Sequence, residues 1–468
     1  MTNRAPKPRD FVNFLKNSSE QKTEGFASIA SRKRKPNIIL FLADDLGYGD
    51  LGCYGQKSIK TPHLDRVAAE GMRFTDFYSG STVCAPSRCA LMTGYHTGHS
   101  RVRGNGIVPL LPEDITVAEV LKAAGYTTAI FGKWGLGEPG TTGVPNQKGF
   151  DEWFGYLNQV HAHDYYPDYL WSNQERVSIP PDTYSHDLFT QKALDFIKRK
   201  QNQPFFLYVP YTIPHANNEL GKEGMQVPND APYSHESWPQ QQKNYAAMIT
   251  RLDGDIGKIL DLLAELGLEQ ETIVFFSSDN GPHEEGGATA EFFDSNGPLQ
   301  GIKRDLYDGG VRVPMIVRWS GKIKPGQVNA QPFALWDFLP TASAIAGVQP
   351  PEGIDGISIL PALLGKKQKK HELLYWEFHE RGFEQAIRMG RWKAVRHGLN
   401  QPIELYDLET DISEQCDVAA QYPDVVARIE ETLQRVRTDS QDFPIHTALP
   451  ISHIASAKQK NLTEKLSA

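Results

Sequence analysis

The stretch Asn37-Ile-Ile-Leu-Phe-Leu-Ala43 is apolar from Ile38 to Ala43 and runs straight into Asp44-Asp45. An unbroken apolar run of this length, without alternation, reads as a strand buried on both faces. Working outward, the pattern repeats. Val117–Ala124 reads as a helix closed by Gly125, then Thr127–Phe131 as a strand followed by Gly132-Lys133-Trp134. Ser185–Lys200 reads as a helix, Pro204–Pro210 as a strand, and His215 comes just after it. Tyr245, Ile249, Leu252, Ile256, Ile259, Leu263 and Leu266 recur every three or four residues, an amphipathic helix, before the strand Thr272–Ser277 and Asp279-Asn280. Helices alternating with continuously apolar strands predict an α/β fold, a large mainly parallel sheet sandwiched by helices. In such sheets ligands bind beyond the carboxyl ends of the strands. Asp44, Asp45, Lys133, His215, Asp279 and Asn280 all fall there, and their convergence on one edge marks a site.

The chain has 468 residues, 40% of them hydrophobic and 23% charged, which suffices for a packed core and excludes wholesale disorder. Four cysteines, Cys53, Cys84, Cys89 and Cys416, are too few for a disulfide scaffold, and no Cys/His cluster suggests zinc. No apolar run is long enough for a membrane span. The first 35 residues carry nine Lys/Arg against three Asp/Glu, a net +6, so within a total of −8 the remainder is −14. An acidic body argues against nucleic acid as the main partner. The basic start lacks the apolar segment that secretion requires, which predicts a cytoplasmic location.

Residues 1–35 therefore read as a basic, disordered segment, and 36–350 as the catalytic domain. After Gly347 the character changes. Glu372–His379, Gln385–Arg396 (with a turn at Met389-Gly390) and Leu405–Leu408 read as strands, and Tyr422–Arg437 as a helix. They predict a small C-terminal α+β unit over 351–445, followed by a tail at 446–468.

Asp44, Asp45, Asp279 and Asn280 offer only oxygen donors, a set suited to Ca²⁺ or Mg²⁺ rather than Zn²⁺. Adjacent aspartates repel unless a cation lies between them. A two-metal phosphatase site would need nearby histidines, and His283 is the sole candidate, so one metal is expected. Val83-Cys84-Ala85-Pro86-Ser87-Arg88 has the spacing Cys-x-Pro-x-Arg. Pro86 suits the first position of a helix, which places Cys84 at the N-terminus, where the helix dipole favours negative charge, with Arg88 about one turn on. From the residues alone, Cys84 is either an inert buried thiol or a thiolate nucleophile.

Cys84–Arg88 together with Pro36–Asp50 resembles the type I sulfatases of the alkaline phosphatase superfamily. So do Gly132-Lys-Trp134, Ile213-Pro-His215, Ser278-Asp-Asn-Gly281 and the stretch from Leu299 through Lys303 to Pro314, a likeness spanning about residues 36–440. The resemblance implies that Cys84 is oxidised to Cα-formylglycine by a formylglycine-generating enzyme. The hydrate then supplies the nucleophilic hydroxyl, and its second hydroxyl later expels sulfate. It implies that Asp44, Asp45, Asp279 and Asn280 bind one metal, usually Ca²⁺, which also touches the modified Cys84. It further implies that Arg88 stabilises the hydrate, that Lys133 and Lys303 hold the sulfate, and that His215 protonates the leaving alcohol. The substrate is then a small-molecule or carbohydrate sulfate ester.

One departure stands out. The family usually reads Gly-Lys-Trp-His-Leu-Gly, whereas Gly135 stands at the histidine position here, so the base that assists sulfate release is in question; His161 or His163 could replace it. Two other readings share much of the pattern: a formylglycine-dependent phosphonate or phosphodiester hydrolase, and a silent binder of sulfated glycans. His96 and His99 read as structural or pocket-wall residues, and Gly309-Gly310 as a turn. Trp319 and Trp336 are expected in the core, with Trp153, Tyr165, Tyr166 and Trp171 as candidates for stacking on substrate.

Overall fold

The structure, a computed structural model, describes residues 34–445. All but the last two residues of the basic segment 1–35, and the whole tail 446–468, lie outside the described residues.

Asn37–Asp44 is the fifth strand of a ten-stranded sheet. Phe205–Pro214 and Thr272–Ser278 flank it, both parallel, with Leu40 opposite Tyr208 on one side and Phe275 on the other. Its apolar run divides between two cores. Ile39, Phe41 and Ala43 pack with Tyr245, Leu252 and Ile256 of the long helix Gln240–Glu265. Ile38, Leu40 and Leu42 pack with Leu339 and Ala342 of the helix Phe338–Ala346. Burial on both faces explains the absence of alternation. The Asn37 amide fixes the start of the strand: its Nδ2 donates to Thr272 Oγ1 at 3.1 Å and its Oδ1 accepts from the Phe205 N–H at 3.4 Å. All three strands therefore end at one level.

Thr127–Lys133 and Glu152–Tyr156 extend the parallel core beyond Phe205–Pro214. Two expected strands run further than their sequences suggested, to Lys133 and to Pro214, which brings Lys133 and His215 directly to the sheet edge. Towards both margins the pairing turns antiparallel, except that the outermost strand Gln327–Asn329 pairs parallel with Met72–Phe74. Met315–Arg318 pairs with Thr272–Ser278 and with Met72–Phe74, and the opposite margin is the hairpin Tyr169–Ser172 and Glu175–Ser178. These strands carry no clear sequence pattern, being short or largely exposed. The Asn173-Gln174 turn, with Asn173 at φ 54°, was the one legible sign of the hairpin.

The helix Cys84–Thr93 is buried along its whole length and ends at Gly94, which has φ 78°. Pro86 stands at its third position rather than its first, still within the turn where a missing N–H costs nothing.

The C-terminal region forms a four-stranded antiparallel sheet of Leu374–Phe378, Glu384–Met389, Trp392–Arg396 and Glu404–Asp407. The helix Pro423–Arg435 covers one face with Val425, Ile429 and Leu433. The other face presents Trp376, Phe378 and Val395 to Tyr78, Val83 and Ala90, so this sheet backs the helix that begins with Cys84. Trp336 packs there as expected, while Trp319 is only partly buried. Among the described residues no helix is long and apolar enough to cross a membrane.

Glu377 is one polar tie between the two parts. Fully buried, it accepts from Arg103 at 2.8 Å, Arg437 at 2.8 Å and the Tyr375 hydroxyl at 3.0 Å. Burial opposes its ionisation, but hydrogen bonding with His379, the charge of Arg103 and the hydrogen bond from Arg437 outweigh it and hold the carboxyl down to about 2. A depressed carboxyl contributes stability above its unfolded value, about 4.3, which is lost as pH falls towards the folded one. Glu377→Gln should therefore destabilise the fold by about 3 kcal/mol at pH 7. In denaturant titrations the gap from the parent should narrow between about pH 4.5 and pH 2. A gap that stays constant across that window would remove Glu377 from this role.

Candidate active site

The aspartates at the end of Asn37–Asp44 need special geometry. Successive strand residues point to opposite faces, so Asp44 and Asp45 would diverge. Asp45 instead takes φ 63°, a left-handed conformation that aspartate tolerates better than most residues, and both carboxylates turn to the same side. The Asp45 N–H donates to Asp279 Oδ1 at 3.1 Å, and Asn280 Nδ2 donates to Asp45 Oδ1 at 2.7 Å. The four expected oxygen-donor residues are thus together, all buried.

Cations pair with them one by one. Lys133 Nζ lies 2.7 Å from Asp44 Oδ2, and Lys303 Nζ lies 2.7 Å from Asp45 Oδ2. Arg88 grips Asp279 Oδ2 through Nη2 at 2.7 Å and Nε at 3.0 Å, and donates from Nη1 to the Lys133 carbonyl at 3.0 Å. Asp44 is held well below the usual carboxylate range: burial works against this, but Lys133 and Arg88 prevail. Asp279 goes the other way. Burial and the neighbouring Asp44 push it up to about 7, with Arg88 only partly offsetting them.

Cys84 Sγ donates to Asp44 Oδ1 at 3.3 Å. Burial first, and then the Asp44 charge, push its thiol well above the ordinary value. Ligand atoms of Asp44, Asp45, Cys84 and His215 all lie within 4.8 Å of one another.

His215 directly follows its strand. Its Nδ1 lies 2.6 Å from the Ala216 carbonyl, which can only accept, so Nδ1 carries the proton. Its Nε2 then accepts from Lys303 Nζ at 3.0 Å. Tyr165 fixes the His215 backbone by donating to the His215 and Thr212 carbonyls. Tyr165 and Trp153 are consequently core residues and leave the set of candidate stacking groups, in which half-buried Tyr166 and Trp171 remain. His283 is also committed: Nε2 donates to the Pro214 carbonyl at 3.0 Å and Nδ1 accepts from the Glu285 N–H at 2.9 Å. Ligand atoms of His283, Asp45 and Glu285 also lie within 4.8 Å of one another.

His96 and His99 lie elsewhere. His99 Nδ1 is 2.9 Å from Asp355, and the His96 ring packs edge-on against Tyr375 and Trp336, a structural joint with the C-terminal sheet. Gly309-Gly310, expected as a turn, lie inside a four-residue helix, Asp308–Val311, with Gly310 O accepting from the Gly281 N–H.

Sequence reading missed Glu285. It joins Lys303 at 3.2 Å and Arg304 at 2.6 Å, and although burial opposes it, Lys303 and Arg304 help hold it down to about 2. Its sole signal was the acidic pair Glu284-Glu285 downstream of Asn280.

Residues 36–348 match the Sulfatase family model, two thirds of the chain. The chain belongs to the sulfatase family. Residues 301–439 also match the model of the N-sulphoglucosamine sulphohydrolase C-terminal region. The sulfatase is 36% identical over 403 residues to an N-acetylgalactosamine-6-sulfatase of Canis lupus familiaris, covering 78% of this chain and 72% of that one. It is 30% identical over 515 residues to an N-acetylgalactosamine-6-O-sulfatase of Bacteroides thetaiotaomicron, covering 90% and 96%. Among solved structures, Ps i-CgsB in complex with k-i-k-neocarrahexaose matches with TM-score 0.80 and 30% identity, over 91% of this chain and 98% of that one. A phosphonate monoester hydrolase of Agrobacterium radiobacter shares the fold at TM-score 0.62 and 21% identity, over 85% and 95%. The protein is an enzyme of sulfate-ester hydrolysis with an alkaline-phosphatase-like sheet.

The two buried lysines give the first kinetic expectation. Lys133→Ala and Lys303→Ala should each lower kcat/KM on a sulfate ester by at least about tenfold, roughly 1.4 kcal/mol. Steady-state kinetics of both variants near the parent's would place the sulfate site elsewhere.

Proposed function

We propose that this sulfatase works through Cα-formylglycine at Cys84 and one divalent cation, Ca²⁺ or Mg²⁺, on Asp44, Asp45, Asp279 and Asn280. The observation that carries the reading is the single buried cluster in which Cys84, three carboxylates, Arg88, Lys133 and Lys303 meet. The donors suit such an ion: they are oxygen only, and Asn280 Oδ1 is enclosed with no hydrogen-bond partner among the described residues. A buried amide oxygen left unpaired is costly, and a hard cation satisfies it. When present, the cation supplies positive charge for the sulfate oxygens, and the modified Cys84 supplies a hydroxyl nucleophile. A formylglycine-generating enzyme is the partner this maturation requires.

The remaining work belongs to the chain's own residues. Arg88, anchored on Asp279, sits one turn along the Cys84 helix and holds negative charge developing at its first residue. Lys133 approaches from a strand end and Lys303 from a loop, and the two neutralise the sulfate, whose charge spreads in the transition state. His215 Nε2 accepts a hydrogen bond from Lys303 Nζ, so the proton for the departing oxygen starts on Lys303 and reaches it through Nε2. The Tyr165 hydroxyl and the Ala216 carbonyl keep the imidazole in that tautomer and place. The substrate is a sulfated carbohydrate or small alcohol; the glycan-related names of several relatives support the former. A phosphonate or phosphodiester activity is the second reading, supported by the shared fold of the Agrobacterium enzyme; comparing nitrophenyl sulfate with nitrophenyl phosphate diesters separates the two.

Two outcomes test the mechanism. Mass spectrometry of the peptide containing Cys84 should show aldehyde in place of thiol in active enzyme, and active enzyme bearing only the thiol overturns it. Asp44→Ala should lose both bound metal and activity, whereas metal at the parent's stoichiometry would refute the ligand assignment. The leaving group reports on His215. His215→Ala should cost a nitrophenol ester little and a sugar sulfate far more, because an alkoxide needs the proton. Equal losses on both would make His215 a positioning residue.

A further inference from the structure

Gly135 lies two residues beyond Lys133, and its neighbourhood is not open space. The segment Lys133–Gly135 is laced to the end of Glu152–Tyr156: Lys133 registers with Tyr156, the Trp134 N–H donates to the Tyr156 carbonyl and the Gly135 N–H to Leu157, both at 2.9 Å. That pairing delivers Gln159 alongside. A Cβ built on Gly135 would lie 2.1 Å from Gln159 Nε2 and 3.2 Å from its Cδ. The carboxamide therefore fills the volume in which any side chain at position 135 would begin.

Nε2 and Oε1 of Gln159 are both enclosed, and neither has a hydrogen-bond partner among the described residues. Neighbouring polar groups are engaged. Trp134 Nε1 donates to the Gly143 carbonyl at 2.7 Å, and Asn158 Oδ1 accepts from the His161 N–H at 2.9 Å. The two histidines considered as replacements are also placed. The His161 ring lies between Tyr156 and Tyr169, with centroids at 4.8 and 4.5 Å. His163 stacks on His215 at 4.6 Å and pairs with Glu219. Neither fills the space beside Gly135. A buried carboxamide with all its hydrogen-bonding capacity unmet costs about 1–3 kcal/mol per group, a cost that a hydrogen-bonding partner from outside the chain relieves.

We propose that Gln159 is a further substrate-binding residue of this sulfatase, its Nε2 donating to a sulfate oxygen and its Oε1 accepting from a hydroxyl of the reacting group. The inference rests on the function proposed above. A carboxamide supplies donor and acceptor in one rigid fork and does not titrate, so it positions without moving a proton. Glycine at 135 is the counterpart of this arrangement, since it leaves room for the amide at φ 82°.

Gln159→Leu keeps most of the bulk and removes both hydrogen-bonding ends. In the metal-loaded full chain, calorimetric titration with inorganic sulfate should show binding weakened at least about tenfold, and kcat/KM on 4-nitrophenyl sulfate should fall as much. The melting temperature should hold or rise, because an unpaired buried polar group has been removed. Gly135→Ala, which pushes the amide aside, should cause a similar loss, and the double variant should lose no more than either single one. Sulfate binding and turnover by Gln159→Leu at the parent's level would overturn the inference, as would a fall in melting temperature that accompanies the lost activity. A parent carrying formylglycine that neither binds sulfate nor cleaves the ester would instead overturn the functional reading itself.

Discussion

Everything in this site depends on placing three carboxylates within one buried volume. Mutual repulsion of Asp44, Asp45 and Asp279 in a medium that screens poorly would expel them unless each had a partner. The fold answers with three cations from three different elements: Lys133 from the end of a strand, Lys303 from a loop and Arg88 from the helix behind. Each pairing closes at 2.7 Å. Because the partners come from separate elements, the cluster also locks those elements together at the sheet edge. The C-terminal sheet then holds the Cys84 helix from behind through Trp376 and Phe378.

This arrangement explains the backbone at Asp45. A regular continuation of Asn37–Asp44 would aim the two aspartates at opposite faces, one into the core beneath the long helix. The left-handed turn at Asp45 costs about 1–3 kcal/mol, which the hydrogen bonds to Asp279 and Asn280 offset. The same constraint bears on Cys84. Its thiol donates to Asp44 Oδ1, so the first residue of the helix is tied into the same carboxylate cluster.

Much of this was legible in the sequence, because it follows from strand order. Apolar runs that end in Asp44, Lys133, His215 and Asp279 reveal a parallel sheet and the edge where polar residues collect. What stayed hidden lies in irregular segments and side-chain packing. The strands Met72–Phe74 and Met315–Arg318 are too short to show a period, and they join the sheet through pairing with distant chain. Tyr165 reads as a loop aromatic, yet its hydroxyl reaches two backbone carbonyls and draws the ring into the core. Gln159 carries no local pattern and Glu285 only the acidic pair with Glu284, since their roles arise from which loops face each other across the edge.

The charge balance of the cluster also constrains what it accepts. With Asp279 ionised, Asp44, Asp45 and Asp279 oppose Arg88, Lys133 and Lys303 one for one, and the core of the site is close to neutral. A lone anion entering this buried space would leave it negative, and a lone dication would leave it positive; either alone meets the desolvation cost of an unbalanced charge. A divalent cation together with doubly charged sulfate changes nothing in the sum. The metal then draws on the carboxylates that the lysines neutralise, and the lysine charge becomes available to the sulfate oxygens. On the proposed mechanism this exchange of partners makes one set of groups serve both ligands. It also explains why the lysines sit on the metal-binding carboxylates themselves rather than on a separate wall of the pocket.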